Sequence, residues 1–360
     1  MPDLLDPLTL DGLTARNRLW TPAMCMYSVD AHDGVPTDFH LVHYATRAAG
    51  GFGLIISEAT AVAPEGRISP ADAGLWSDAQ AAAWSRIVRA VHGLGGAIGV
   101  QLAHAGRKAS TRPMLRGVLG GAATAEEGGW VTVGPSAVAF PGLPEPHVLT
   151  VAEIGEIVDA FAAAARRAAA VGFDAVELHA AHGYLLHQFL SPLANRRADA
   201  YGGSLENRMR IVLQTVDAVR AALPAGRPLL VRISATDWVE GGWDLEQSCV
   251  LARELAACGV ALIDVSTGGL VPADVPLGPG YQVPFARRIR AEGVPTAAVG
   301  LITEGVHARR IVAEGDADAV LMGREALRNP YLPLLLADEC GKAADLAPGP
   351  YFRAWPGRPS

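Results

Sequence analysis

AVELHAAHGYLLHQF, residues 175–189, changes character halfway. Its first residues form a continuous apolar run that reads as a buried strand; the rest carries polar rings. His179 and His182 stand three apart, and Tyr184 follows two later. Three readings are open for the histidines: metal ligands, hydrogen-bonded core residues, or a clamp for a polar atom of a substrate. Which one holds depends on the rest of the chain, where a strand-then-helix alternation recurs.

It repeats throughout. Short apolar runs lie at 18–24, 53–62, 98–103, 175–180, 229–234, 262–267, 296–300 and 318–323. Helical stretches lie between them at 78–94, 151–171, 204–222, 244–257, 303–314 and 324–336, several stopped by glycine at Gly95–Gly96, Gly172, Gly259 and Gly315. The runs are solidly apolar, as expected of strands covered on both faces, and their interiors read as apolar. Eight such units in one chain predict a closed (β/α)8 TIM barrel more readily than an open sheet. One connection is too long for a compact unit: residues 104–150 separate the third strand from its helix and carry Gly, Pro and Trp. The expected organisation is a barrel over 1–340 and a tail over 341–360, whose aromatics suit docking better than a solvated linker.

Bulk properties exclude several classes. The chain has 360 residues, half of them hydrophobic and 19% charged. The net charge is −7, which argues against nucleic acid or an anionic membrane as partner. No signal peptide and no bilayer-spanning apolar stretch is visible. Four scattered cysteines, none in a C-x-x-C pair, fit a reducing cytoplasm and leave zinc ribbons and iron–sulfur clusters without ligands. Cys249 and Cys258 fall in a helical pattern as core or surface thiols.

In a barrel the chemistry gathers at the C-terminal strand ends. Here these are Met24, Cys25 and Tyr27; Glu58 and Ala59; Gln101 and His104; His179, His182 and Tyr184; Arg232; Ser266; Gly300; and Gly323–Arg324. Nearly every end is polar. A metal would need a third ligand, and no H-E-x-x-H or similar set is present. Arg232, after buried LLV, needs an anion: either a ligand or a structural carboxylate. Gln101 needs its amide satisfied. Amides following strands seven and eight form this fold's usual phosphate site. YGGSLENRMR, 201–210, reads as a turn with Ser204 as a helix cap. A phosphate cradle, an amide, a buried cation, a thiol, imidazoles and phenols together suit a flavin mononucleotide.

TPAMCMYS (21–28), QLAHAGRK (101–108), HAAHGYLLHQFLSPLANRRADAYGG (179–203) and LMGREALRNP (321–330) resemble the old yellow enzyme family of FMN-dependent ene-reductases. The Cys25/Tyr27 pair and HAAH are similar to its thermophilic-like, xenobiotic-reductase branch. The resemblance spans nearly the whole chain. It implies non-covalent FMN held by Ala59, Gln101, Arg232, Gly300, Gly323 and Arg324, over the backbone of Pro22, Ala23, Met24 and Cys25. Cys25 would tune the flavin. His179 and His182 would hold the oxygen of an activated alkene, Tyr27 would line the pocket, and Tyr184 would give a proton to Cα after hydride passes from flavin N5 to Cβ. NADPH or NADH would reduce the flavin in the same pocket. Tyr351-x-Arg353-x-Trp355 resembles a segment that enters a neighbouring subunit's site, implying a homodimer or homotetramer with Arg353 at the substrate. Two departures stand out: Ala23 replaces a common proline, and the 104–150 loop is longer than in compact members.

Rival readings are a dienoyl-CoA reductase or amine dehydrogenase of the same superfamily, which carry a cluster segment absent here; a Schiff-base lyase using Lys108, the one lysine near a strand end; and a non-catalytic binding barrel.

Overall fold

The computed structural model describes residues 1–355. Eight parallel strands form the barrel: β1 (Leu19–Trp20), β2 (Ile55–Ala61), β3 (Ile98–Ala103), β4 (Ala175–Ala180), β5 (Leu229–Ser234), β6 (Leu262–Ser266), β7 (Thr296–Ala298) and β8 (Ala319–Leu321). From β2 onward each pairs with the next, and β8 pairs with β1. A parallel bridge between Thr21 and Ile55 closes the ring, with the Thr21 N–H donating to Leu54 O at 3.0 Å and the Ile56 N–H to Thr21 O at 3.1 Å. The expected (β/α)8 TIM barrel is the observed fold.

Alternation along the strands separates two apolar layers. Val176, Leu178, Val231, Ile233, Ile263 and Val265 point outward into the cluster shared with the helices. Leu54, Ala175, Leu230, Leu262, Ala297 and Ala319 point inward, forming the floor of the barrel with Trp20. An N-terminal hairpin, Leu8–Leu10 against Leu13–Ala15, adds Leu10 and Ala15 to that floor and so plugs the end opposite the strand C-termini.

The helices are α1 (Asp38–Ala49), α2 (Asp78–Gly93), α3 (Val151–Val171), α4 (Leu185–Leu190), α5 (Leu205–Ala222), α6 (Leu245–Ala257), α7 (Val283–Arg290), α8 (Gly305–Ala313), α9 (Gly323–Arg328), α10 (Leu332–Asp338) and α11 (Ala343–Leu346). Local chemistry sets their ends. Thr150 caps α3 with a reciprocal bond from Glu153. Gly172 ends it in the left-handed region at φ 98°. Ser204 caps α5 through the Asn207 N–H, as its sequence suggested.

Two expectations need correction. The helix expected over 324–336 is two helices, because Pro330 pushes Asn329 out of the helical region. The first strand stops at Trp20 rather than running to residue 24, since Pro22 has no N–H for the ladder. The long loop after β3 has structure of its own: a 3-10 turn at Gly106–Lys108 and a paired Val133–Gly134/His147–Val148. Trp355 and Leu346 of the tail pack on Leu5, Ala337 and Ala343 of this chain. The rest of the tail, residues 356–360, lies outside the described residues.

Candidate active site

The barrel interior is not apolar throughout, contrary to expectation. Above the floor, four adjacent strands point Gln101, Glu177, Arg232 and Asp264 inward, all nearly inaccessible to water. Gln101 Nε2 donates to Glu177 Oε1 at 2.7 Å. Arg232 Nε pairs with Asp264 Oδ2 at 3.0 Å, so the structural carboxylate foreseen for this arginine is present. Arg232 also reaches past it: Nη1 donates to Ala23 O at 3.3 Å, tying β5 to the segment after β1. Burial, then the Asp264 charge, push Glu177 up to about 8. Burial raises Asp264 as well, against the pull of Arg232.

One level higher lie the rings of the opening stretch. The His179 ring meets Tyr184 edge-on at 4.8 Å and His182 edge-on at 5.2 Å. Burial, then Arg232, hold both imidazoles well below their ordinary titration range, so they are neutral. His179 Nδ1 accepts the Ala181 N–H at 3.3 Å, which puts the ring proton on Nε2 and leaves that N–H to donate. His182 Nε2 lies 2.7 Å from Ser266 Oγ. Burial holds the Tyr184 phenol well above its usual value, so it keeps its proton.

The turn that presents these rings is strained and held from several sides. His182 has φ 56° and Gly183 φ 73°. A Cβ on Gly183 would stand 2.3 Å from Gly269 O, so glycine is required here. The His182 N–H donates to Ser234 Oγ at 2.9 Å, and the Gly183 N–H to His187 Nδ1 at 2.9 Å. His187 Nε2 is 3.0 Å from buried Asp237. Lys108 Nζ donates to His182 O and Gly269 O, each at 2.8 Å. The Lys108 ammonium also lies 5.2 Å from the Tyr184 ring and 4.7 Å from Phe140, so the long loop folds back over the site. Burial, then Arg107, bring this amine down to about 8.

Cys25, Tyr27 and Tyr184 pack together with Ala59 and Ala103 in one small cluster. Burial, then Asp72 and Glu58, keep Cys25 a thiol, which suits a packing or tuning role better than a nucleophile. Burial, then Cys25, likewise raise Tyr27. Glu58 anchors this segment: Oε2 accepts the Met26 N–H at 3.2 Å and Oε1 pairs with His40 Nε2 of α1 at 2.9 Å.

Beside Arg232, at the ends of β5 to β8, opens a cavity of ≈ 290 Å³ lined by Ser266, Gln282, Gly300, Gly323 and Arg324 among others. Gly300 has φ 121°, and a Cβ there would meet Gln282 Nε2 at 2.8 Å. A Cβ on Gly323 would come within 3.2 Å of Pro22 Cγ and 3.3 Å of Met24 Sδ. Side chains are thus kept off two sides of a cavity that a guanidinium faces. Those residues fit a phosphate-bearing cofactor. Arg353 is different: it is exposed in the tail, its guanidinium over Phe352. Sequence reasoning did not single out Gln282, and it named Lys108 only as a rival's nucleophile. Lys108 reaches the site through partners 74 and 161 residues away, which no local pattern reveals.

Fold and strand-end site together define a barrel oxidoreductase with a place for an anionic cofactor. The chain belongs to the NADH:flavin oxidoreductase / NADH oxidase family, the old yellow enzyme family, whose model matches residues 3–341. It is 48% identical over 357 residues to the NADPH dehydrogenase of Listeria innocua, covering 99% of this chain and 100% of that one. It is 46% identical over 354 residues to that of Geobacillus thermodenitrificans, covering 98% of each. Among solved structures, it matches the old yellow enzyme homologue from Zymomonas mobilis with TM-score 0.79 and 31% identity over 94% of this chain and 93% of that one. Morphinone reductase in complex with tetrahydroNAD matches with TM-score 0.77 and 33% identity over 95% and 92%. A 2-naphthoyl-CoA reductase matches with TM-score 0.85 and 26% identity; this chain spans 96% of its own length and 53% of that one's. The protein is accordingly an FMN-dependent NAD(P)H oxidoreductase. Membership of this family sets aside the Schiff-base lyase, and Lys108 Nζ is occupied by two carbonyl oxygens.

Proposed function

We propose that this oxidoreductase is an ene-reductase, saturating the C=C bond of activated alkenes such as α,β-unsaturated ketones and aldehydes, maleimides and nitroalkenes. The observation that carries the reading is the neutral His179 imidazole, its Nε2–H free to donate, packed edge-on against His182 and the protonated Tyr184. FMN, when bound, supplies to the alkene β-carbon the hydride it has taken from NAD(P)H in the same pocket. Gly300, Gly323 and Arg324 would hold its phosphate. Gln101 and Arg232 would face its pyrimidine edge, with Ala59 and the backbone of Pro22, Ala23, Met24 and Cys25 against its ring.

The chain's own residues do the rest. His179 and His182 donate to the acceptor's oxygen and stabilise the enolate-like charge that grows there. Being neutral, they add no fixed positive charge that would have to be desolvated beside Arg232. Tyr184 holds a proton for the α-carbon. Tyr27 and Cys25 wall the pocket. The barrel over 1–340 would be the catalytic unit. The tail over 341–360, carrying exposed Arg353, would reach the site of a neighbouring subunit in a homodimer or homotetramer. All four cysteines are free among the described residues, which suits a reducing cytoplasm. No described helix is long and apolar enough to cross a membrane.

The test is the doubly substituted His179→Ala/His182→Ala protein. Binding of a phenolic ligand such as 4-hydroxybenzaldehyde should weaken, and reduction of 2-cyclohexenone should fall at least about a hundredfold, the scale of lost oxyanion donors. Wild-type ligand binding and turnover would remove the clamp. A wild-type protein that is bleached by NADPH yet ignores every enone would remove the ene-reductase reading.

A further inference from the structure

The interior layer of the barrel has an unbalanced charge. Among the described residues Arg232 is its single guanidinium, facing two carboxylates, Asp264 and Glu177. All three are buried, Arg232 at 6% exposure and each carboxylate at 1%. The Arg232–Asp264 pair accounts for one negative charge. Glu177 is left with one hydrogen bond, from the uncharged Gln101 amide, and its Oε2 has no partner.

Among the described residues the surroundings offer no second cation. β3 contributes Gln101, and β4 contributes Glu177 with neutral His179 above it. β5 contributes Arg232, and β6 contributes Asp264 and Ser266. The other strands and the floor contribute Trp20, Ile56, Ala297, Ala319 and Leu321. Lys108, the next amine, is tied to the carbonyls of His182 and Gly269 and faces Tyr184 and Phe140. Arg324 faces the cavity where a phosphate would lie. An ionised Glu177 would therefore be an uncompensated charge in an apolar barrel, the costliest way to bury a carboxyl group.

We infer that Glu177, Asp264 and Arg232 form a proton-binding site inside the barrel, and that the proton it holds strengthens FMN binding above it. With the proton on Glu177 the layer is neutral, and Arg232 presents its remaining N–H groups to the strand ends. With the proton gone, the layer carries a net negative charge beneath an anionic cofactor. Glu177 acts through Arg232 and Gln101, so it is a positioning residue. Its upward shift, caused by burial and by Asp264, places the change near neutral pH. The inference rests on the proposed placement of FMN over Gln101 and Arg232.

The experiment measures FMN binding to the apoprotein by quenching of flavin fluorescence, at constant ionic strength, from pH 7 to 9.5. The Kd of the wild type should rise through about pH 8, several-fold per pH unit and tenfold at the limit of one linked proton. Glu177→Gln, which carries the neutral side chain at every pH, should stay flat and tight. Lys108→Met should keep the rise, separating the two groups that titrate near the same pH. Asp264→Asn removes the like charge, so Glu177 pairs with Arg232 and the rise should move to lower pH; this variant decides the matter if Glu177→Gln does not fold. A wild-type Kd with no rise overturns the inference. So does an equal rise in Glu177→Gln, or an unmoved rise in Asp264→Asn. In each case FMN still binds, and the placement of the cofactor stands. A Glu177→Gln protein that rises in step with the wild type while Arg232→Gln leaves FMN affinity untouched would instead defeat the placement itself.

Discussion

Tyr184 is the residue on which the proposed chemistry turns, and its surroundings say what it can do. Its half-buried ring packs on the edge of His179 and lies near the Lys108 ammonium. Burial keeps the proton on it across the working pH range. A phenol that never ionises on its own is a poor base but a ready donor once negative charge develops beside it. Tyr184→Phe keeps the ring packing and removes only the hydroxyl. Bleaching by NADPH should proceed at the wild-type rate, whereas recovery of colour with 2-cyclohexenone should slow about a hundredfold or more, read by stopped-flow absorbance of the two half-reactions. If both halves run at wild-type rates, the proton comes from elsewhere, solvent or Tyr27 being next in line. Tyr184, His179 and His182 were legible in the sequence because they follow a solid apolar run within five residues. Glu177 was hidden inside that run. A single charged letter among Val, Leu and Ala does not announce that its partners are Gln101 and Asp264, far away in the chain but adjacent around the barrel.

At the scale of elements, the strands and long helices expected between residues 98 and 257 stand where the sequence put them, within a residue or so, while α4 and the paired segments of the long loop were not foreseen. Their ends are marked by chemistry that the sequence displays: Thr150 with Glu153, Gly172, Ser204. The later strands are only three residues long, because a closed ring needs few ladder bonds per strand once its neighbours fix it, and apolar residues beyond them belong to the site loops. The loop over 104–150 and the tail were recognised as extra but not as structured, since their anchors are long-range: Arg107 Nη1 to Val138 O, Phe140 over Lys108, Trp355 on Leu5. The tail carries its own prediction. Trp355 fastens it to its own barrel while Arg353 stays exposed, so a substitution at Arg353 should not cost this subunit packing. If Arg353 completes a neighbour's site, Arg353→Ala should raise KM for enones several-fold with FMN content and unfolding midpoint unchanged. Wild-type kinetics together with a wild-type elution volume on a sizing column would end the idea.

For the whole molecule, the buried titratable groups pull stability in opposite directions with pH. His43 and His104 are driven by burial down to about 3 and about 4, and His179 and His182 also lie well below the ordinary range. As pH falls below about 6.5 the unfolded chain takes up these protons and the folded protein does not, so stability present above 6.5 is lost on acidification. The raised carboxyls behave the other way. Burial holds Asp72 at about 7 and Glu177 at about 8, while Asp264, shifted in the same direction, stays charged against Arg232. From about pH 4 upward the folded protein keeps protons that the unfolded chain has released, so their contribution is full below about pH 4, drains away steadily as pH rises, and is gone above about 7 for Asp72 and about 8 for Glu177. Each unmatched proton is worth about 1.4 kcal/mol per pH unit. Below pH 6.5 the four histidines outweigh the two carboxyls; above it the histidines no longer change the slope and the carboxyls alone set it. Unfolding in urea, measured on the FMN-loaded protein from pH 5 to 8, should therefore show a maximum near pH 6.5, falling on both sides. Glu177→Gln should flatten that alkaline limb by about one proton's slope. Stability that climbs steadily to pH 8 would mean that the carboxyls inside the barrel are ionised and paired in the folded state, and that the interior layer is held by charge rather than by a proton.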